Sequence, residues 1–401
     1  MQKSHKWLFY SHNSCLIQNF SLPLRQRSIN HINIPNYMSK VAYLLGAGAS
    51  YGTRGKMPLS SQPPISSDTQ FTENYLLRGL PILQEFSLAI AQLQAELIDK
   101  TFIAERKDFS SNALSSLLHI SYNYPTIDTY AKLLYATRQI QKYYEFKRQL
   151  SLFFLIWQHI HKQDLRYDSF VSSLIDAKTG EMPSATILSW NYDLQLEMAY
   201  ASYLTTKGTL TQIWDKLNVY SKTNNTLYEY NNDKPFACIK LNGSAIFHAS
   251  EKNTYTLRHT LEDVLWTSAS EQQFWEKIYK LYTDIEHVDN PFSNPIYENE
   301  LSYCWEDERK DDLLKNIKAR IEDCEVLVII GYSFPYVNRA IDREIFASMQ
   351  RLKTIYIQDK EGVSKEIKER VENIFEFIQY EKPNIVIKQD ISQFYIPNEL
   401  G

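Results

Sequence analysis

Short apolar runs recur along this chain, and most are continuous rather than alternating: Val41 to Leu45, Ala185 to Trp190, Ala237 to Leu241, Glu325 to Ile330, Thr354 to Ile357 and Asn384 to Ile387. A strand with one face in water alternates apolar and polar residues, so continuous runs of this length predict strands buried on both faces. That is the pattern of a parallel sheet between helices. Helix-length segments of mixed polarity separate the later runs and supply the crossovers. The predicted fold class is α/β, a doubly wound, Rossmann-like parallel sheet of about six strands.

About 140 residues separate the first run from the second, far more than an ordinary crossover. The interval predicts a large helical insertion over residues 70–165, a lid or side domain. Within it, Leu80 to Ile98 puts Leu83, Phe86, Ile90, Leu93 and Leu97 on one helical face, and Asp128 to Gln139 and Phe146 to His161 also read as helices. A smaller insertion is expected over residues 251–312, where Asn290-Pro291-Phe292 and Tyr303-Cys304-Trp305-Glu306 mix aromatic and charged residues without a telling period. The main domain then runs from 38 to 390, followed by a tail, 391–401.

Residues 1–37 carry Lys3, Lys6, Arg25 and Arg27 but no acid, with scattered Ser, Asn and Gln. Three readings fit: a disordered arm, a targeting segment, or an extension ahead of a start at Met38, which directly precedes an apolar strand.

Across 401 residues, 44% hydrophobic content is enough for one large core or a core with insertions. No run approaches the roughly eighteen apolar residues of a membrane span. The four cysteines, at 15, 238, 304 and 324, form no CxxC pair and no regular spacing, so neither a disulfide framework nor a structural metal is expected, and a reducing, cytoplasmic setting fits. A net charge of −4 gives no broad reason to bind nucleic acid, which leaves a small molecule as the default ligand. The 28 tyrosines read as core and lid packing before base-stacking platforms.

Candidate chemistry clusters just after the predicted strands. Gly46-Ala47-Gly48-Ala49-Ser50 follows the first, where glycines permit a tight turn and close backbone approach to a pyrophosphate. The dehydrogenase fingerprint is incomplete, because no third glycine stands three residues after Gly48 and no second strand precedes Asp68. Ser189-Trp190-Asn191-Tyr192-Asp193 ends the second strand. There Asn191 can donate and accept, whereas ionised Asp193 can only accept; both could instead merely cap the following helix. Lys240-Leu241-Asn242-Gly243-Ser244 follows the third strand and Gly331-Tyr332-Ser333-Phe334-Pro335 the fourth. Three further residues are weaker candidates. Asp128 opens a helix, whose dipole alone would satisfy it. Asp342 could touch a ribose or pair with a neighbouring arginine, and His248 is a lone histidine after a strand.

In order, these four segments resemble the motifs of the sirtuin superfamily, especially bacterial sirtuin-like effectors of antiviral defence, over residues 41–390. The resemblance implies NAD+ as substrate and no metal, since the paired-cysteine zinc module of sirtuin deacetylases is missing. It assigns the NAD phosphates to Gly46, Ala47, Gly48 and Ser50, the nicotinamide ribose and a water to Asn191 and Asp193, and the adenosine half to Gly331 and Ser333. Asn242, Gly243 and Ser244 match the third motif, but the family's histidine base is replaced by Asn242, and an amide is no base near neutral pH. Cleaving the nicotinamide glycosidic bond chiefly demands orientation and stabilisation of an oxocarbenium ion, so a strong base helps without being essential. The expected activity is an NAD+ glycohydrolase (NADase), a hydrolase releasing nicotinamide and ADP-ribose. The resemblance further implies abortive infection by NAD+ depletion, gated by homo-oligomer formation or by a partner such as a HerA-type ATPase or an Argonaute-like protein. The alternatives are a catalytically weak NAD or ADP-ribose binding module that scaffolds such a partner, and an ADP-ribosyltransferase.

Overall fold

A computed structural model describes residues 40–52, 54–56, 75–77, 79–82, 85–98, 114–161, 163–204, 209–221, 230–251, 254–258, 272–276, 278–279, 296–378 and 381–400. All of them belong to one unit, Asn36–Gly401. The 1–37 extension lies outside the described residues.

Alternation about the sheet explains the continuous apolar runs. In β1 (Val41–Leu45), Val41, Tyr43 and Leu45 enter one hydrophobic cluster while Ala42 and Leu44 enter another, so each face of the strand meets its own core. A short hairpin, β2 (Arg54–Lys56) and β3 (Tyr75–Leu77), leads into α1 (Phe86–Ile98), α2 (Ser115–Asn123), α3 (Ile127–Ala136), α4 (Ile140–His161) and α5 (Leu165–Leu174). Then come β4 (Ala185–Ser189), α6 (Gln195–Ser202), α7 (Leu210–Leu217), β5 (Val219–Tyr220) and β6 (Phe236–Lys240). The antiparallel set β7 (Gly243–Glu251), β8 (Thr254–Arg258) and β9 (Ile296–Leu301) precedes α8 (Asp307–Ile321), β10 (Val326–Ile330), α9 (Arg339–Ser348), β11 (Thr354–Gln358), α10 (Val363–Ile378) and β12 (Asn384–Lys388).

The main sheet has seven strands in the order β12-β11-β10-β1-β4-β6-β5, and every neighbouring pair is parallel. The architecture is thus the predicted Rossmann-like α/β sheet with one more strand, β5, whose two residues are too short to show a pattern. Helices α1 to α7 contribute to the cluster on one face and α8 to α10 to the cluster on the other. The residues of the predicted insertion therefore share a continuous core with the sheet. From β1 the chain steps one way to β4, and after β6 it returns to β10 on the opposite side of β1. The switch point of the sheet lies between β1 and β10, and ligands of doubly wound folds bind at the carboxyl ends of strands there.

Boundaries shifted where local geometry intervened. The segment read as Asp128 to Gln139 ends at Ala136, and Arg138 takes a positive φ of 56° before α4 begins at Ile140. Leu80 to Ile98 becomes helical only from Phe86, after Pro81. The smaller insertion, expected over 251–312, holds β8 and β9, but their sheet begins earlier, with β7 at Gly243, and is tied to α4 by the Asn299 amide, which donates to Lys147 O (3.2 Å) and Ser151 Oγ (2.8 Å). Among the described residues no helix is long and apolar enough to cross a membrane. Cys238, Cys304 and Cys324 are buried.

Candidate functional site at the sheet switch point

The ends of β1, β4 and β10 are level, with Leu45 opposite both Ile330 and Ser189, so the turns that follow them emerge side by side. Gly46 N–H donates to Ile330 O (3.0 Å), Gly48 N–H to Gly331 O (2.9 Å) and Ala49 N–H to Gly46 O (2.9 Å). The turn is thereby locked to β10, and these three amides are spent within the protein rather than left open for an anion. The glycines serve first the approach of two loops. A Cβ on Gly331, at φ +60°, would lie 2.3 Å from Gly48 C, and one on Gly46 would lie 2.6 Å from Gly331 O. We expect Gly331→Ala to destabilise the protein by about 3 kcal/mol, the sum of left-handed strain and overpacking. Gly180→Ala, at φ +71° with nothing within 4 Å of the added carbon, should cost only the strain, about 1 kcal/mol. Chemical denaturation of both variants would check this, and equal losses would remove the steric account.

Ser50 ties the first turn to the second. Its hydroxyl donates to Asp193 Oδ2 (2.8 Å), accepts from Asn191 Nδ2 (3.2 Å) and lies 3.0 Å from Tyr167 Oη. A hydroxyl has one proton, so with Asp193 receiving it the Tyr167 hydroxyl is the donor to Ser50. Asn191 Nδ2 also donates to Gly46 O (2.8 Å), which leaves Asn191 Oδ1 as its uncommitted polar atom among the described residues. Asp193 Oδ1 accepts from Gln195 N (3.1 Å), the first residue of α6, so both its oxygens are engaged and it steadies the entry to that helix while anchoring Ser50. Burial pushes the Asp193 carboxyl above its usual range, against the pull of Lys240 and the Ser50 hydroxyl. Lys240 Nζ donates to Asp193 O (2.6 Å) and pairs with Glu197 (3.1 Å), both side chains being buried.

Around these turns lies one cavity of about 700 Å³, within the usual range for small-molecule sites. Ala47, Gly48 and Ser50 line it, as do Asn191, Asp193 and Asn242, together with Gly331 and Ser333. Gly46, Gly243 and Ser244 stand outside its lining. Gly243, at φ +69°, is packed against β9, where a Cβ would lie 2.2 Å from Glu300 O, and the buried Ser244 hydroxyl accepts from Ser221 (3.2 Å). Asn242 Oδ1 accepts from Cys304 N–H (3.3 Å), so the amide group remaining to it is a donor. Asp342 is buried beneath Tyr332, whose hydroxyl lies 3.0 Å from both carboxylate oxygens, and does not line the cavity. The His248 side chain lies outside the described residues.

Four cavity residues escaped the sequence reading or were read as bland. Asp128, on the first turn of α3, is buried in the cavity wall and accepts from the Tyr192 hydroxyl (3.1 Å). Thr126 places it there by capping α3, its Oγ1 accepting from Thr129 N (3.1 Å). Burial pushes the Asp128 carboxyl up to about 6, with the Tyr192 and Tyr303 hydroxyls opposing. Arg166 donates through Nη2 to Ala49 O (3.0 Å) and pairs with Asp164 (2.6 Å), clamping the first turn from α5. Lys360, exposed above the Tyr51 ring, and Asp359 follow β11 at the same sheet edge. Burial raises the Asp359 carboxyl against the pull of Lys360 and Arg166. The strand-end rule that found the other turns could have found Asp359 and Lys360.

No protein-family model matches this chain, and no curated protein matches it.

Proposed function

We propose that the cavity binds NAD+ and cleaves its nicotinamide glycosidic bond, releasing nicotinamide and ADP-ribose. One observation carries the reading: turns chosen in the sequence for their resemblance to an NAD site converge on a single cavity of about 700 Å³ at the switch point. Lys360, above the Tyr51 ring beside the Gly46–Ser50 turn, offers the positive charge that a pyrophosphate requires, while Arg166, paired with Asp164, holds the turn in place. Gly331, Ser333 and Asp359 suit the adenosine half, where a carboxylate can accept from ribose hydroxyls. Asn191 Oδ1 and the Asn242 amide group suit the nicotinamide ribose and a water.

The chemistry asks little covalent work of the protein. As the bond to the cationic nicotinamide breaks, its electron pair leaves with a neutral base and positive charge develops on the ribose, so fixed dipoles and carboxylates in the wall stabilise the transition state. A role as the toxic effector of a bacterial anti-phage system, acting by NAD+ depletion and gated by self-association or a partner, rests on the resemblance alone. A second reading, an NAD or ADP-ribose binding module, is favoured by one observation: among the described residues no histidine lines the cavity, and Asn242 Oδ1 is already engaged by Cys304.

Purified protein, alone and with the products of its neighbouring genes, should be incubated with NAD+ while calorimetry follows binding and chromatography follows products. Nicotinamide and free ADP-ribose in equal amounts are expected. Binding without release would establish the module, ADP-ribose recovered on a macromolecule would establish the transferase, and neither binding nor release would end the NAD reading.

A further inference from the structure

We propose that Asp128 is the catalytic base of this site, taking the proton from the water that attacks the nicotinamide ribose; the assignment rests on the NAD+ hydrolysis proposed above. Four carboxylates line the cavity, and three are committed elsewhere. Asp164 is bound by Arg166 and by Gly52 N–H (2.9 Å). Asp193 has both oxygens engaged, by Ser50 and Gln195. Asp359 accepts from Lys360 N–H (2.7 Å) and sits beside Lys360, where a sugar or phosphate is the better match. Asp128 differs from these three in its partners: it is held by hydroxyls, Tyr192 on Oδ1 and Tyr303 beside it, where each of the others accepts from a backbone N–H, and with about four acceptor positions on a carboxylate it retains capacity for a water.

Its position also fits. Tyr192 stands between Asn191 and Asp193 in the chain, so its hydroxyl brings Asp128 to the loop that carries them. On the other side Tyr303, a neighbour of Asp128, directly precedes Cys304, whose N–H holds Asn242 Oδ1. Asp128 thus lies beside both segments assigned to the reacting ribose. The first turn of α3 favours the ionised form through its dipole, while burial favours the neutral one. Behind Tyr303 stand Tyr143, Glu306 and Lys147, and behind Tyr192 stands Asp193. With its carboxyl up at about 6, Asp128 is largely ionised at neutral pH yet basic enough to accept a proton.

The step balances as hydrolysis. Water oxygen bonds to C1′ of the ribose, the bond from C1′ to the pyridinium nitrogen breaks with its pair going to nicotinamide, and the water proton passes to Asp128 and then to solvent. Exchange of bound nicotinamide for free labelled nicotinamide breaks and remakes the same bond with no proton to remove. It therefore separates a base from a merely structural residue.

The test measures hydrolysis and exchange in wild type and D128N across pH 5 to 8. Hydrolysis by D128N is expected to fall by roughly 10²-fold, the low end of general-base contributions, with exchange nearly preserved. The kcat of wild-type hydrolysis should rise with pH through about 6, because the carboxylate forms as pH increases, and this limb should vanish in D128N. An equal fall in both reactions, or an unchanged rate of hydrolysis in D128N, would make Asp128 a structural residue. A wild-type profile without a limb near 6 overturns the assignment even if D128N fails to fold. Binding of NAD+ without nicotinamide release or exchange by wild type, partners included, overturns the parent reading as well and is recognisable as such.

Discussion

Lys240→Met is expected to lose about 3–5 kcal/mol of stability, because it strands the Glu197 carboxylate without a counter-ion in the core. Lys240 and Glu197 side chains are 2% and 0% exposed, and their nearest oxygen-to-nitrogen distance is 3.1 Å. Burial alone would push the Lys240 ammonium down, but Glu197, Cys238 and Asp193 around it together outweigh this and leave it raised. Lys240 is therefore charged throughout the neutral range. Removing one partner leaves a charge that cannot reach water, whereas replacing both with apolar residues removes the desolvation penalty together with the attraction. Lys240→Met/Glu197→Leu should accordingly recover most of the loss. Denaturant unfolding of the two variants and wild type checks this, and a single variant within 1 kcal/mol of wild type would sink the argument. Lys240 Nζ also fixes Asp193 O at 2.6 Å. The double variant, though stable, should therefore hold the Asn191–Asp193 loop less firmly and bind NAD+ more weakly under the proposed function.

How much of this was legible in the sequence follows from what each residue depends on. Strands such as β1 and β10 announced themselves because both faces are buried, so every position is apolar whatever its direction. Their following turns were legible for the same reason, since parallel strands bring all such turns to one edge. β5 went unseen because two residues carry no period. The first two turns of α4 were missed because mostly exposed polar residues surround Tyr143 there. Within the site, sequence reasoning found which segments meet but not how their side chains are spent. The Asp193 carboxylate read as a ligand acceptor or a cap for the next helix, yet Ser50, 143 positions away, takes one oxygen. Asp128 looked satisfied by its own helix, yet its hydroxyl partner lies 64 positions away on the Asn191 loop. Gly243 and Ser244 follow a strand as the other motifs do, but the chain turns there into β7 and commits them to packing.

Under the proposed function, Asn191→Ala is expected to lower NAD+ turnover by ~10² or more, the scale at which lost orientation costs an enzyme its rate. The side chain has two duties that the geometry separates. Its amide protons go to Gly46 O (2.8 Å) and Ser50 Oγ (3.2 Å), which joins the turn after β1 to the loop after β4. Its Oδ1 is left for a ribose hydroxyl or a water. Alanine removes both, and Asn191→Asp keeps an acceptor toward the ligand while setting a carboxylate oxygen against the Gly46 carbonyl. If joining the turns is the larger duty, Asn191→Asp should be as slow as Asn191→Ala and also less stable, because a buried acceptor pair replaces a donor and an acceptor. If contact with ligand dominates, Asn191→Asp should retain much of the rate that alanine loses. NAD+ is expected to bind Asn191→Ala still, since Arg166, Lys360 and the Gly331 turn are untouched. Steady-state kinetics with calorimetry decide between these outcomes, and a robust wild-type activity left intact in Asn191→Ala would mean that the reacting end of NAD+ lies elsewhere.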